Sequence, residues 1–249
     1  MNNLFGIIGN PLDHSFSPSF FEEKFSRLGL QDYTYEKFPL HHIYEFPDLI
    51  IQHPNLKGLN VTLPYKRQII PFLHQLHGHA LKLLSVNVVK ISKPNELFFF
   101  EGFNTDASAF DRTLSLFLND KIFSALILGT GATSDMVAYV LDSYQIKYNK
   151  VSRNPIDNDT FSYEELSENI VQNTDLIINT TPVGTFPNTE EMPDFPVNFL
   201  DSHHLIYDVI YNPAETKLLY YASLKGCRTK NGLEMLYLQA DMSWEIWNK

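Results

Sequence analysis

The chain has 249 residues, of which 44% are hydrophobic and 19% charged, so it can bury the core of one large globular domain or of two modest ones. A formal net charge of -10 and a pI of about 5.3 disfavour a general nucleic-acid surface, and the single cysteine, Cys227, excludes an intramolecular disulfide and a cysteine-based metal cluster. No apolar run reaches membrane-spanning length, and the first residues lack the basic start and long apolar core of a secretion signal, so a cytoplasmic protein without membrane contact is expected.

In chain order, Leu4 to Gly9 reads as a strand ended by Gly9-Asn10-Pro11. Phe20 to Leu28 reads as a short amphipathic helix, Tyr33 to Phe38 as a strand, and Ile43 to His53 as a helix stopped before Pro54. Gly58 to Thr62 is a strand closed by Leu63-Pro64, and Ile69 to Leu84 a helical stretch interrupted by Gly78. Val86 to Ile91 is β-branched and strand-like, with Leu97 to Phe103 its hairpin partner across Lys93-Pro94-Asn95-Glu96. A helix opens at Thr105-Asp106, with Thr105 as its cap, and runs to Leu118. Asn119-Asp120-Lys121 separates that helix from the next strand.

From Ile122 strands and helices alternate, which argues a parallel α/β sheet. The strands are Ile122 to Leu128, Lys147 to Ser152, Leu176 to Asn179 and Leu205 to Val209. The helices are Thr133 to Tyr144, Tyr163 to Asn169 and Thr216 to Lys225. The last stretch, Gly232 to Trp247, is an amphipathic helix suited to packing back on the first region. The expected fold is therefore two α/β domains: a mixed-sheet domain over residues 1–106, a Rossmann-like parallel-sheet domain over 107–228, and a returning helix over 229–249.

The strand ending at Leu128 enters a turn with glycines at Gly129 and Gly131. Gly129 lets the chain turn tightly, and Gly131 lets the backbone approach an anion held by the helix N-terminus. The third small position of a dinucleotide fingerprint is taken by Ser134, or by Ala132 in a looser register. An ordinary strand–turn–helix reads the same way at this stretch alone.

Four polar clusters exceed what folding requires. His14-Ser-Phe-Ser-Pro18 places Ser15 and Ser17 before a helix, where capping is the plain reading. Asn60-Val-Thr-Leu-Pro-Tyr-Lys66 ends a strand in donors and one ammonium, with Asn60 and Thr62 on one strand face. Ser85-Val-Asn87 buries an amide in an apolar strand, and Gly102-Phe-Asn-Thr-Asp106 puts a carboxylate at a helix start. Among the histidines, His74 and His77 have helical spacing, but no H-E-x-x-H pattern supports a metal centre, and none is expected.

These stretches, with LGTGATS (128–134), DLIINTTPVG (175–184), YDVIYNPAETKLL (207–219) and NGLEMLYLQA (231–240), resemble those of bacterial shikimate dehydrogenases in order and spacing. The chain is accordingly identified as a member of the shikimate/quinate dehydrogenase family. The resemblance implies NADP-dependent, reversible reduction of 3-dehydroshikimate to shikimate, with Lys66 and Asp106 as the catalytic pair. It also implies that Ser15 and Ser17 bind the substrate carboxylate, and that Thr62 and Asn87 bind its ring oxygens. Tyr211 and Gln239 would make two further substrate contacts. Gly129, Gly131, Ala132 and Thr133 would form the diphosphate loop, and Gly232 would lie near the nicotinamide. In Lys150-Val-Ser-Arg-Asn154 no acid stands where an NAD site places one, so Ser152 and Arg153 favour a 2′-phosphate and NADP. Departures from the family pattern are Ala132-Thr133 in the diphosphate loop, Val88 after Asn87, Ala107 after Asp106, and Thr185 after Gly184. They bear on cofactor affinity and turnover more than on reaction type. Quinate or dual specificity is the alternative within the family, and a non-catalytic metabolite-binding regulator the alternative outside it. A monomer and a homodimer are both compatible with the family.

Overall fold

The computed structural model describes residues 3–13, 15–118, 122–155, 157 and 159–249. His14 of the first cluster and the separator Asn119-Asp120-Lys121 lie outside them. The chain forms two compact units, Met1–Ser108 with Gln239–Lys249, and Ala109–Leu238.

The first unit contains β1 (Asn3–Gly9), α1 (Ser17–Arg27), β2 (Tyr33–Pro39), α2 (Phe46–Gln52), β3 (Leu56–Val61), β4 (Gln75–Leu76), α3 (His79–Leu83), β5 (Val88–Ser92), β6 (Phe99–Phe103) and the start of α4 (Thr105–Phe117). Its sheet is mixed, in the order β2-β1-β3-β5-β6-β4. β1 runs parallel to β2 and β3, whereas β5 is antiparallel to both β3 and β6. Strand alternation divides the apolar residues between two faces. Leu4, Ile8, Leu59, Val61, Val89 and Ile91 join Phe46 and Ile50 of α2 in one core. Phe5, Ile7 and Val88 face the other way and join Phe21 and Phe25 of α1.

The second unit contains β7 (Ser124–Leu128), α5 (Ala132–Ser143), β8 (Lys147–Ser152), β9 (Thr160–Ser162), α6 (Glu168–Gln172), β10 (Leu176–Asn179), β11 (Leu205–Asp208), α7 (Lys217–Leu224), β12 (Arg228–Lys230) and the start of α8 (Leu233–Trp247). All its strand pairs are parallel, in the order β12-β11-β10-β7-β8-β9. This is the doubly wound order, whose switch point lies between β7 and β10. Its core gathers Leu126, Leu128, Val151, Ile177, Ile206 and Leu219.

The far half of α8 belongs to the first unit. Ala240 and Trp247 are buried with Phe5 and Phe21, and the Trp247 indole donates to the Val89 carbonyl at 3.1 Å. Gly58 of β3 leaves the room, since a methyl there would collide with the indole. The returning helix is thus a structural part of the first sheet's cover.

Several expected elements differ. The stretch from Ile69 to Leu84 is not one interrupted helix: Gln75–Leu76 pairs with Glu101 and Gly102, because the sheet edge offers backbone partners that local propensity does not reveal. The stretch from Tyr163 to Asn169 is a 3₁₀ turn followed by the separate helix α6, each capped by its own serine, Ser162 and Ser167. The cap of α4 is Asn104, whose Oδ1 accepts the Ala107 N–H at 3.1 Å, while the Thr105 hydroxyl is engaged elsewhere. No helix among the described residues is long and apolar enough to cross a membrane.

Candidate active site

In the first unit the chain leaves β3 through a turn held by three backbone bonds. Tyr65 N–H donates to the Thr62 carbonyl at 2.9 Å, Ile69 N–H to the Tyr65 carbonyl at 2.9 Å, and Val86 N–H to the Lys66 carbonyl at 2.8 Å. The Tyr65 side chain anchors the turn, being buried with its hydroxyl on the Leu40 carbonyl at 2.7 Å. Lys66 is thereby fixed at its backbone. Its Nζ donates to Asp106 Oδ2 at 2.7 Å, with side-chain exposures of 26% and 20%. Asp106 sits in the first turn of α4, where the helix dipole favours a carboxylate. The pair is sheltered enough to be strong and open enough to meet a ligand.

Asn87 is buried, between β3 and α4. Its Oδ1 accepts the Thr105 N–H at 2.7 Å, and its Nδ2 donates to Thr105 Oγ1 at 2.9 Å. Asn60, also buried, accepts from the Tyr35 hydroxyl at 2.7 Å and donates to Ser243 Oγ at 3.2 Å. Burial pushes the Tyr35 phenol well up, partly opposed by a hydrogen bond from Ser17. Ser17 opens α1 but does not cap it, since the cap position is Phe16, whose side chain makes no capping hydrogen bond. Ser15 is half-buried, its N–H on the Leu12 carbonyl at 3.2 Å. Thr62 is half-buried beside Gly9, where any side chain would meet its methyl. Gln239 lies on α8, its carbonyl accepting from Ser243 Oγ at 2.7 Å.

In the second unit the turn after β7 is built as the glycines require. Gly129 has φ of +113°, a left-handed conformation, and a methyl there would stand 2.7 Å from Thr180 Oγ1. A methyl on Gly131 would meet nothing within 4 Å. Open backbone therefore adjoins the first turn of α5, which carries Ala132 and Thr133, and an anion such as a diphosphate fits there. Ser134, the third small position, is buried inside α5 and its Oγ has no hydrogen-bond partner among the described residues. At the end of β8, Ser152 Oγ accepts the Asn154 N–H at 3.2 Å. Arg153 is exposed and partly counters the rise of the Tyr163 phenol, which burial and Asp194 push up to about 12. Lys150 pairs with Asp135 at 2.8 Å. Gly232 packs so closely on the Val209 carbonyl that no side chain fits, and its N–H donates to the Ile210 carbonyl at 3.0 Å. Tyr211 is half-buried, and burial raises its phenol.

Sequence reading passed over one buried carboxylate. Asp208 ends β11, directly opposite Asn179 in the register with β10. It accepts from Asn179 Nδ2 at 3.0 Å, Ile210 N–H at 3.1 Å and Thr216 Oγ1 at 2.7 Å, while burial pushes its carboxyl up to about 6. Asn179 in turn accepts from the backbone and hydroxyl of Thr181. The signal available was a polar residue at the same end of two neighbouring apolar strands. A second cluster, Asp201, His203 and His204, has metal-ligand composition. His204 is buried, however, and uses both nitrogens internally, on the Asp201 N–H at 3.0 Å and the Val171 carbonyl at 3.0 Å.

The chain is similar to known proteins over nearly its whole length. Residues 7–89 match the family described as the shikimate dehydrogenase substrate binding domain. A shikimate dehydrogenase (NADP(+)) of Desulforamulus reducens is 31% identical, the alignment covering 97% of this chain and 88% of the relative. The crystal structure of shikimate 5-dehydrogenase from Thermus thermophilus, in complex with NADP(H) and shikimate, is 25% identical with a TM-score of 0.81, covering 99% and 93% of the two chains. Quinate dehydrogenase from Corynebacterium glutamicum, in complex with NAD, is 27% identical with a TM-score of 0.86, again covering 99% and 93%. With both α/β folds in place and the whole chain aligned to these relatives, this protein belongs to the shikimate dehydrogenase family.

Proposed function

We propose that the protein catalyses the reversible, NADPH-dependent reduction of 3-dehydroshikimate to shikimate, a step of chorismate and aromatic amino acid biosynthesis. The observation that carries this reading is the Lys66–Asp106 pair at 2.7 Å, an ammonium held in place by a carboxylate yet partly accessible. When bound, the dinucleotide supplies the hydride for the ketone carbon. Lys66 hydrogen-bonds the ketone oxygen, stabilises the negative charge that develops there and delivers the proton, so that the carbonyl becomes a secondary alcohol. In the reverse direction neutral Lys66 takes that proton back. Asp106 holds the lysine and accepts from a ring hydroxyl.

Ser15 and Ser17 receive the substrate carboxylate, Thr62 and Asn87 the ring oxygens, and Gln239 a further contact, all within the first unit, while Tyr211 is the second unit's contact. The first unit's many buried or half-buried polar groups reject a small apolar ketone, because such a ligand would leave them unpaired. Gly129, Gly131, Ala132 and Thr133 hold the diphosphate, with Gly232 toward the nicotinamide. Ser152 and exposed Arg153 at the end of β8 hold the 2′-phosphate and favour NADP over NAD.

Dual use of quinate is the second reading, because the chain is similar to a quinate dehydrogenase as well, at a TM-score of 0.86. The test follows reduced-nicotinamide absorbance with shikimate and quinate each crossed against NADP and NAD. The expected order of kcat/KM places shikimate with NADP first. A protein inactive with all four pairs sinks the reading, and a preference for quinate replaces it with the second.

A further inference from the structure

Ser243, on the returning helix, is assigned no ligand of its own, yet the supports of two proposed site residues, Gln239 and Asn87, meet at its hydroxyl. Its proton goes to the Gln239 carbonyl at 2.7 Å. With that proton committed, Ser243 Oγ can only accept from its other neighbours. Those neighbours are Asn60 Nδ2 at 3.2 Å and Thr105 Oγ1 at 3.4 Å. The whole network lies in one compact unit, and Asn60, Asn87, Thr105 and Ser243 are buried, so their polar atoms depend on partners within the protein.

The Thr105 hydroxyl lies between two acceptors, Asn87 Oδ1 at 3.3 Å and Ser243 Oγ at 3.4 Å, and itself accepts Asn87 Nδ2 at 2.9 Å. The Thr105 N–H donates to Asn87 Oδ1 at 2.7 Å. Oxygen and nitrogen of the Asn87 amide are therefore assigned by their surroundings. On the other branch, the Tyr35 hydroxyl on Asn60 Oδ1 and Ser243 on Asn60 Nδ2 assign the Asn60 amide in the same way. One N–H of Asn87 then remains for a ligand, and it offers a donor.

We propose that Ser243 is a positioning residue for substrate binding: its hydroxyl holds Thr105 and Asn60, both bonded to Asn87, so that Asn87 is kept in place to present an N–H to a ring oxygen of the substrate. This rests on the reading that Asn87 binds substrate. A ring oxygen met by that N–H acts as an acceptor, so its own proton is free for a carboxylate. The site thus distinguishes a hydroxyl, which does both, from an ammonium, which cannot accept.

The test is a steady-state comparison of wild type, S243A, N87A and the double variant, with shikimate and NADP. S243A removes one of the two acceptors within reach of the Thr105 hydroxyl and of Asn60 Nδ2, leaving each only an Asn87 oxygen to donate to, and is expected to raise the KM for shikimate roughly five- to tenfold. It should lower kcat by no more than about twofold and leave the KM for NADP within about twofold, since neither the proton donor nor the dinucleotide loop is touched. In the N87A background the same substitution should add little, because the group it orients is gone. T105S, which keeps the hydroxyl, should stay close to wild type and guards against a purely packing effect. An S243A protein with unchanged KM, or one whose effect adds fully to that of N87A, overturns the proposal while leaving the reaction assignment intact. Wild-type protein without activity on shikimate would instead fail the reading beneath it.

Discussion

A proton donor is useful only when something holds it, and Lys66, proposed for that role, is held twice: by its backbone in the turn after β3 and by Asp106 at its tip. K66A should therefore lower kcat by about a thousandfold while changing the shikimate KM much less, as befits a group acting on the developing charge; near-normal turnover in stopped or continuous assays would remove Lys66 from the mechanism. Ser134 makes the opposite point. Its hydroxyl is buried in α5 without a partner among the described residues, a local cost with no visible return in the folded chain. S134A should raise unfolding stability by about 1 kcal/mol, read as a higher denaturant midpoint at unchanged slope. The residues proposed for the chemistry were legible because motif and chemistry coincide: a lysine just past a strand end and an aspartate at a helix start are visible as types, and the structure brings the two together at 2.7 Å. What was hidden is which of their neighbours are spoken for. That Thr105 serves Asn87 and not its own helix, or that Ser243 reaches Asn60 across 183 positions, depends on pairings no local pattern encodes.

At the scale of elements, long periodic segments followed their patterns and short ones did not. β1, β3, β7, β10 and β11 carry enough apolar alternation or continuity to be read directly, whereas β4, β9 and β12 have two or three residues and exist because a neighbour offers a ladder. The returning helix was readable as amphipathic, but its anchor was not: the indole of Trp247 fits only because β3 carries Gly58 beneath it. A methyl at that glycine, in G58A, should destabilise the protein by roughly 1–3 kcal/mol through overpacking. In a W247A background, itself weakened by about 3–5 kcal/mol, the same methyl should cost almost nothing. Equal costs of G58A in both backgrounds, measured by chemical unfolding, would mean that the two residues do not share the space.

For the molecule as a whole, the net charge of -10 sets a poor stage for the anionic dinucleotide proposed as its cofactor, whose attraction would then rest on local donors. The buried Asp208 also couples to pH. Its carboxyl is pushed from 3.8 to about 6 by burial, so the folded protein holds a proton more tightly than the unfolded chain does. The stabilisation this gives is complete below the unfolded value and is lost as pH rises through about 6, a difference on the order of 2–3 kcal/mol. Relative to wild type, D208N should therefore gain stability as pH rises from about 4 to about 7. Measured as the difference between two unfolding curves, that trend separates Asp208 from the other carboxylates, and a flat or reversed difference would show that its burial carries no proton linkage.

The path of the chain has a consequence for birth as well as for stability. Residues 239–249 are translated after all of 109–238, yet they cover a face of the sheet begun by β1. During synthesis the parallel sheet can assemble from contiguous chain, whereas Phe5, Phe21 and Phe25 must wait for Trp247 to emerge before their side of the protein is dry. The half that starts first is finished last, and while the ribosome completes α8 the nascent chain carries an uncovered aromatic surface.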